Sequence, residues 1–366
     1  MRIRSSTGRP DYAIALVLLA LIIFGLAMLA SASSYLGETK FGDSYYYLKH
    51  QLLYGFGVGA AGFIIAYFVN YRFYRKWALI LVLFSIVLVF LVFTPLGVKS
   101  GGAERWLKIG PLTFQPAELL RITFILYLAA WLSGNKDRSK SFLSGFLPFL
   151  IIAGAVGFLL LKQPATSMTM VLIGSGLIVY FASGARLSYI AGFFLLGLII
   201  LMLVIYWTPY RLNRLINFLN PESDPLRGGY HLNQALIAIG SGELGGVGYG
   251  QSTTKLKFLP EPIGDSIFAV IAEELGFIGS VFTVGLFAFL VLKIMLLSKK
   301  VSDNFGKLVL VGFGSMIVIQ TFFHIGAISG LLPFTGTLLP FVSYGGTSLA
   351  VFMTMGGIIL NISKYT

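Results

Sequence analysis

The segment LPEPIGDSIFAVIAEELGFIG, Leu259 to Gly279, places four carboxylates in a chain that has only fourteen Asp and Glu among its 366 residues. A carboxylate can take a proton as a general base, hold a cation, or pair with a buried amine. From Ser266 onward the segment is apolar enough to cross a membrane, so Glu273 and Glu274 enter it and Asp265 stands at its mouth. Pro260 and Pro262 hold the approach extended, and Gly264 loosens it just before the helix begins. Two roles stay open for Asp265: an N-cap favoured by the helix dipole, or a general base facing a basic loop. Glu273 and Glu274 are adjacent and point about 100° apart on a helix, so one of them is expected to be structural, bonded to a neighbouring helix.

A second constellation is Glu118 with Arg121, three residues apart on one helix face. An ionisable group at the bilayer centre costs at least ~2.5 to 3.5 kcal/mol, so each such residue needs a partner. The pair reads either as an ion pair between helices or as the lining of one polar cavity. His50, His231 and His324 show no HxxxH or HxH spacing, which predicts no metal site and places them in the core or at interfaces. The stretch FVSYGGTSLAVFMTMGG at 341–357 predicts close helix packing through small residues, because no His or Asp pattern supports a nucleophile there.

The elements that must position these groups follow from composition. With 57% hydrophobic and 11% charged residues and a mean hydropathy of +0.86, the chain reads as an integral membrane protein. Apolar runs near the ~20 residues needed to cross a bilayer recur at about 12–34, 51–70, 76–95, 115–133, 144–161, 165–184, 187–208, 266–297, 306–330 and 338–362. They predict an all-α polytopic bundle of about ten transmembrane helices, a single unit over residues 1–366. The first run is too long for a signal h-region of ~7 to 15 residues and is read as a retained span. Cysteine is absent, which removes disulfides, thiolate nucleophiles and Cys-based zinc sites.

An even number of spans puts both termini on one side. That side collects Arg2, Arg4 and Arg9, then Arg72, Arg75 and Lys76, then Lys136, Arg138 and Lys140, then Arg186, Lys299, Lys300, Lys307 and Lys364. The positive-inside rule makes it cytoplasmic, and this accounts for a net charge of +13 without nucleic acid. One connection, Pro209 to Asp265 between the seventh and eighth spans, is far longer than ~15 residues and is expected to fold as an outer cap with short helices on the membrane surface. It carries Arg211, Arg214, Arg227, Lys255 and Lys257 and the glycine cluster GSGELGGVGYG at 240–250.

Five stretches, in order along nearly the whole chain, together resemble one family: MLASASS at 28–34, GGAERWLKIGPLTFQPAELLRI at 101–122, NPESDPLRGGYHLNQALIAIGSGEL at 220–244, the opening segment, and GLLPFTGTLLPFVSYGGTSL at 330–349. The chain resembles the SEDS proteins (shape, elongation, division and sporulation), which include FtsW and RodA. GVGYGQSTTKLKFLPEP and the LASASS ending look more like the division member FtsW.

The resemblance implies a peptidoglycan glycosyltransferase that polymerises lipid II at the outer face of the bacterial cytoplasmic membrane. It also implies a class B penicillin-binding protein as partner, alongside other division or elongation proteins. The family's acidic residue ahead of the FAV helix falls on Asp265, and its polar pair on Glu118 and Arg121. Asp265 is then the base that deprotonates the C4 hydroxyl of the acceptor's terminal GlcNAc, for attack on C1 of the donor MurNAc. Undecaprenyl diphosphate is the leaving group, for which Arg211, Arg214, Lys255 and Lys257, with Arg105 of the GGAERW stretch, are the candidate cations. A divalent cation, Mg or Mn, held by a carboxylate is a further expectation. The sequence departs from the family where Ile263 and Gly264 replace His-Thr, Ser266 an aromatic, Ala165 an acid, Glu243 a Gly and His324 an Asn. Two other functions compete: a lipid-linked precursor flippase with Glu118, Arg121 and Glu273 lining a path, and a non-catalytic scaffold for the penicillin-binding partner.

Overall fold

The computed structural model describes residues 8–366 apart from 101–102, 110–111, 136, 220–228 and 335. Arg2, Arg4, Lys136 and Arg227, with parts of the 101–122 and 220–244 stretches, lie outside the described residues. The first membrane helix, α1 (Tyr12–Phe41), is started by Asp11, whose Oδ1 accepts from the Ala13 and Ile14 amides at 3.0 and 3.2 Å. A continuous helical segment follows, made of α2 (Tyr46–His50), a π-helical stretch and α3 (Val58–Phe68), and then α4 (Tyr71–Leu91). After α5 (Pro116–Ser133) come α6 (Leu147–Lys162), α7 (Thr166–Ala182) and α8 (Leu187–Tyr206). The long connection holds α9 (Pro209–Leu219), α10 (Tyr230–Ser241) and the single turn α11 (Thr254–Lys257); α12 (Ile267–Lys300), α13 (Asn304–Ile328) and α14 (Gly346–Ser363) complete the chain.

Nine of these segments are long and apolar enough to span a membrane, and α7 is a shorter apolar helix at the place of the remaining expected span. All backbone polar groups in lipid must be bonded within the protein, and helices do this locally. The helices α5, α13 and α14 are mostly enclosed and form the centre, whereas α8 is almost bare. Phe124, Phe313, Phe352 and Met355 are among the buried side chains of that centre.

The fold differs from the expectation in two places. Between α4 and α5 the chain forms a small antiparallel sheet of β1 (Gly97–Ser100), β2 (Ala103–Ile109) and β3 (Leu112–Phe114) in the order β1-β2-β3. The second difference lies in α12, which is interrupted at Gly276 (φ 66°, ψ −162°). The glycine cluster expected in an outer cap instead lies against this break. Val247 N and Gly248 N donate to the Glu273 and Glu274 carbonyls at 2.9 and 3.0 Å, while Phe277 N and Ile278 N donate to Glu243 O and Leu244 O at 2.9 and 3.2 Å. The loop thus completes the bonds that the helix has lost. A methyl group at Gly246 or Gly276 would overlap the backbone of the other segment, which is why both are glycine. Tyr249 Oη donates to Ala27 O at 2.7 Å, and Ala27 lies midway along α1. The loop therefore turns back into the bundle and packs against the middle of α1.

Candidate functional site

Asp265 lies in the turn before α12, with Ser266 at the helix's N-cap position. Ser266 makes no side-chain cap bond, and nothing among the described residues donates a hydrogen bond to the Asp265 carboxylate. The N-cap role is therefore absent. The turn is held by other groups: Gly264 N and Ser266 N donate to Glu261 O, Tyr344 N donates to Ile263 O at 2.8 Å, and Ser343 Oγ donates to Gly264 O at 2.8 Å. Gly336, in a left-handed conformation (φ 62°), lies so close that a Cβ on it would stand 3.0 Å from Asp265 Oδ2. Residues 336–345 are therefore a cradle for the Asp265 turn.

Burial raises the Asp265 carboxyl to about 6, and the Glu261 charge adds to the rise; Arg214 and Arg105 oppose it. Arg214 on α9 donates to Phe334 O at 3.3 Å and stands over the Phe334 ring. His231 on α10 packs its ring against the same phenylalanine at 4.0 Å. Its Nε2 is 2.6 Å from Ser266 Oγ, whose own hydrogen goes to Pro260 O at 2.8 Å. Nε2 must then be the donor, and His231 is neutral because burial and Arg214 lower it to about 4. His231, Phe334 and Gly336 had no ligand-type spacing in the sequence; the one signal was Ser266, a polar residue at an aromatic position.

Two further arginines converge on the α6–α7 turn. Arg105 of β2 donates to Gln163 O and Pro164 O at 2.9 and 2.7 Å. Arg211 of α9 donates to Thr166 Oγ1 at 2.9 Å and to Leu161 O at 3.3 Å. Carbonyl and hydroxyl acceptors orient a guanidinium. Lys257 is exposed at the end of α11. Lys255 is elsewhere: it is buried, with its ammonium 2.6 Å from Glu274 Oε1, 2.8 Å from Ser31 Oγ and 2.9 Å from Gly250 O.

Both carboxylates of the Glu-Glu pair are consumed by structure, one more than expected. Glu273 accepts from Ser252 Oγ at 2.5 Å, from Thr253 N at 3.0 Å, from Thr254 N and from the Thr253 and Thr254 hydroxyls. Glu274 accepts from Ser31 of α1 at 2.6 Å and pairs with Lys255. Glu118 and Arg121 form a buried ion pair at 3.2 Å. Arg121 Nη1 also donates to Gln320 Oε1 at 2.6 Å, and Gln320 Nε2 donates to Leu338 O at 2.8 Å. One helical turn along α13, His324 Nδ1 donates to Thr337 O at 2.6 Å. The polar pair thus supports the cradle under Asp265 through Gln320, which the rule for polar groups inside a span could have flagged. Among the described residues no group of three His, Asp or Glu gathers at a metal-binding distance.

A bundle of ten apolar helices with a partly buried carboxylate and arginines at one end defines a class of polytopic membrane protein. The chain belongs to the family described as cell cycle protein, FtsW/RodA/SpoVE, which it matches over residues 12–366. It is 38% identical over 359 residues to stage V sporulation protein E of Bacillus subtilis (strain 168), covering 98% of each chain. It is 36% identical over 354 residues to a probable peptidoglycan glycosyltransferase FtsW of Trichlorobacter lovleyi, covering 96% of this chain and 93% of the relative. Among solved structures it is similar to a chain from a peptidoglycan synthase complex that coordinates polymerization and crosslinking (TM-score 0.79, 26% identity, 98% and 99% covered). It is also similar to the rod shape determining protein RodA of Thermus thermophilus (TM-score 0.72, 26% identity, 97% and 96% covered).

Proposed function

We propose that this protein is a peptidoglycan glycosyltransferase that polymerises lipid II, with Asp265 as general base. The observation that carries the reading is the setting of Asp265 in a chain of this family: a carboxyl at the mouth of α12, packed against Gly336 and raised to about 6 despite the opposing charges of Arg214 and Arg105. Such a group is mostly ionised at neutral pH yet more basic than an ordinary carboxylate. It takes the proton of the acceptor hydroxyl as the oxygen attacks the donor's anomeric carbon. The bond from that carbon to the diphosphate breaks, and the proton leaves Asp265 to solvent. Arg214, Arg105 and Arg211 meet the developing negative charge. A divalent ion, Mg or Mn, would come with the diphosphate rather than occupy a three-ligand site of the protein.

The helix α9 supports a lipid-linked substrate. Its Arg214 turns toward Phe334 beside the site and its Arg211 toward the α6–α7 turn that Arg105 also binds, while Leu212 and Leu215 line an apolar groove of about 540 Å³ against Leu198, Met202 and Tyr206 of α8. An undecaprenyl chain in such a groove would bring its diphosphate to the arginines. We place the Asp265 end outside the cytoplasmic membrane and both termini inside, on the distribution of Lys and Arg. The partner in this reading is a class B penicillin-binding protein, in line with the similar chain from a synthase complex; a division role is favoured by the FtsW relatives. The transporter reading, in which Glu118, Arg121 and Glu273 line a path, is less well supported, because Glu273 is bonded to Ser252 and Thr253 and Glu118 is paired with Arg121.

The test is strand formation from labelled lipid II by the protein co-purified with its penicillin-binding partner, with unrelated glycosyltransferases inhibited. Asp265→Asn is expected to lower the rate by roughly 10² to 10⁴-fold, the range for loss of a general base, with folding and partner binding intact. Normal polymer from that variant would end the assignment. Lipid II transfer across a bilayer without polymer from either protein would favour the transporter.

A further inference from the structure

The re-entrant loop and the carboxylates that hold it lie outside the reacting groups, yet they form a densely bonded polar assembly. The break at Gly276 detaches the first segment of α12, residues 267–275, from the rest of that helix. Asp265 precedes this short segment directly. At its upper end the turn is fixed by His231, Tyr344 and Ser343, and at its lower end by Glu273 and Glu274. The lower fixings all lead to residues 243–255 and to Ser31 of α1. A short rigid helix held at both ends places its first residues by where both ends are held.

We propose that Glu274 and Lys255 are positioning residues for Asp265, acting through the detached first segment of α12 and the re-entrant loop that straps it to α1. This rests on Asp265 being the base. Several features suit positioning better than simple gluing. The pair is buried and bonded on three sides, by Ser31 Oγ, Gly250 O and each other, which fixes the position of both groups. A buried ion pair adds little net stability over an apolar replacement, so its contribution is better sought in geometry. The strap also enters where the helix is broken, so it controls a segment that the remainder of α12 does not. The tilt of residues 267–275 sets how deeply Asp265 sits against Gly336 and how near it lies to Arg214 of α9, Arg105 of β2 and Glu261 of its own turn, with neutral His231 of α10 bonded to the next residue.

The experiment is the pH profile of lipid II polymerisation by the partner-bound protein, for the native chain, Glu274→Gln and the double variant Lys255→Met/Glu274→Gln. The double variant removes both charges together and leaves no uncompensated ion if the single variant fails to fold. Loosening the strap lets water reach Asp265, so the acid limb is expected to move down from near 6 toward the ordinary carboxylate range by about one pH unit. The plateau rate is expected to fall roughly a hundredfold, as for a catalytic group displaced by about 1 Å. An unchanged limb with less folded protein would show that the pair is only structural, and would overturn the proposal while leaving Asp265 as base. Polymer from Asp265→Asn, run beside them, would instead remove the base itself.

Discussion

Asp265 and the Glu273–Glu274 pair lie within ten residues of one another, and their surroundings are opposite. Glu273 is met by two backbone amides and three hydroxyls, and Glu274 by a serine and a lysine. Asp265 is partly buried, receives no such bonds from described residues, and is raised to about 6. A carboxylate supplied with donors is held still by them, whereas one without them is left open to a substrate hydroxyl. Sequence position and residue type hardly distinguish the two cases. The supply of donors does, and it comes from segments remote in the chain.

The sharpest way to break this contrast is to remove one charge from each region and follow stability. Lys255→Met leaves the Glu274 carboxylate buried without its cation, which is expected to cost about 3 to 5 kcal/mol. Thermal unfolding of the detergent-purified protein should show it as a large fall in melting temperature. Asp265→Asn should act with the opposite sign. Because the folded carboxyl lies above its ordinary value of 3.8, the folded state holds the proton more tightly than the unfolded chain between 3.8 and about 6. Stability contributed by that proton is present below 3.8 and is lost as pH rises through about 6, so ionised Asp265 destabilises the protein at neutral pH. The Asn variant is therefore expected to melt higher than the native protein at pH 7.5 and equally at pH 4. A lower melting point at pH 7.5 would mean that Asp265 is held as a structural anion after all.

Catalysis should report the same group. With Asp265 as the proposed base, the polymerisation rate is expected to fall about tenfold per pH unit below pH 6. His231 adds no second limb between pH 5 and 8, because it is lowered to about 4 and stays neutral there. A profile with its acid limb near 4 would place the base in a more solvated setting than the one seen here.

The frame was legible in the sequence because bilayer thickness sets the length of an apolar run, and ten runs became ten helical segments. Glu118 with Arg121 was legible as an i,i+3 pair, and Asp265 as a carboxylate at a span's mouth. What stayed hidden depended on backbone direction. A glycine at 276 inside an apolar helix looks like a packing residue, and only the structure shows that it ends one helix segment and that Glu243 to Gly248 complete its bonds. Lys255 looked like one more outer cation because loop residues carry no periodicity to reveal that a chain turns back into the bundle. Of the 341–357 stretch, read as helix packing, residues 346–357 do pack closely within α14, where Gly357 lies against Phe63, while Ser343 and Tyr344 hold the turn of Asp265.

The cations give a smaller and more graded comparison. Arg214 stands over Phe334 and acts on Asp265, so Arg214→Gln is expected to slow strand synthesis by roughly ten- to a hundredfold, the worth of a charge-assisted contact. Lys257 is exposed at the end of α11. An exposed ammonium is strongly screened and mobile, so Lys257→Ala should change apparent lipid II affinity by a few-fold at most. That change should vanish as salt is raised, with the plateau rate and the melting temperature unaltered. Steady-state polymerisation at low and high ionic strength separates the two arginine and lysine roles: a salt-resistant loss in Lys257→Ala as large as that in Arg214→Gln would move the diphosphate away from α9 and toward the end of α11.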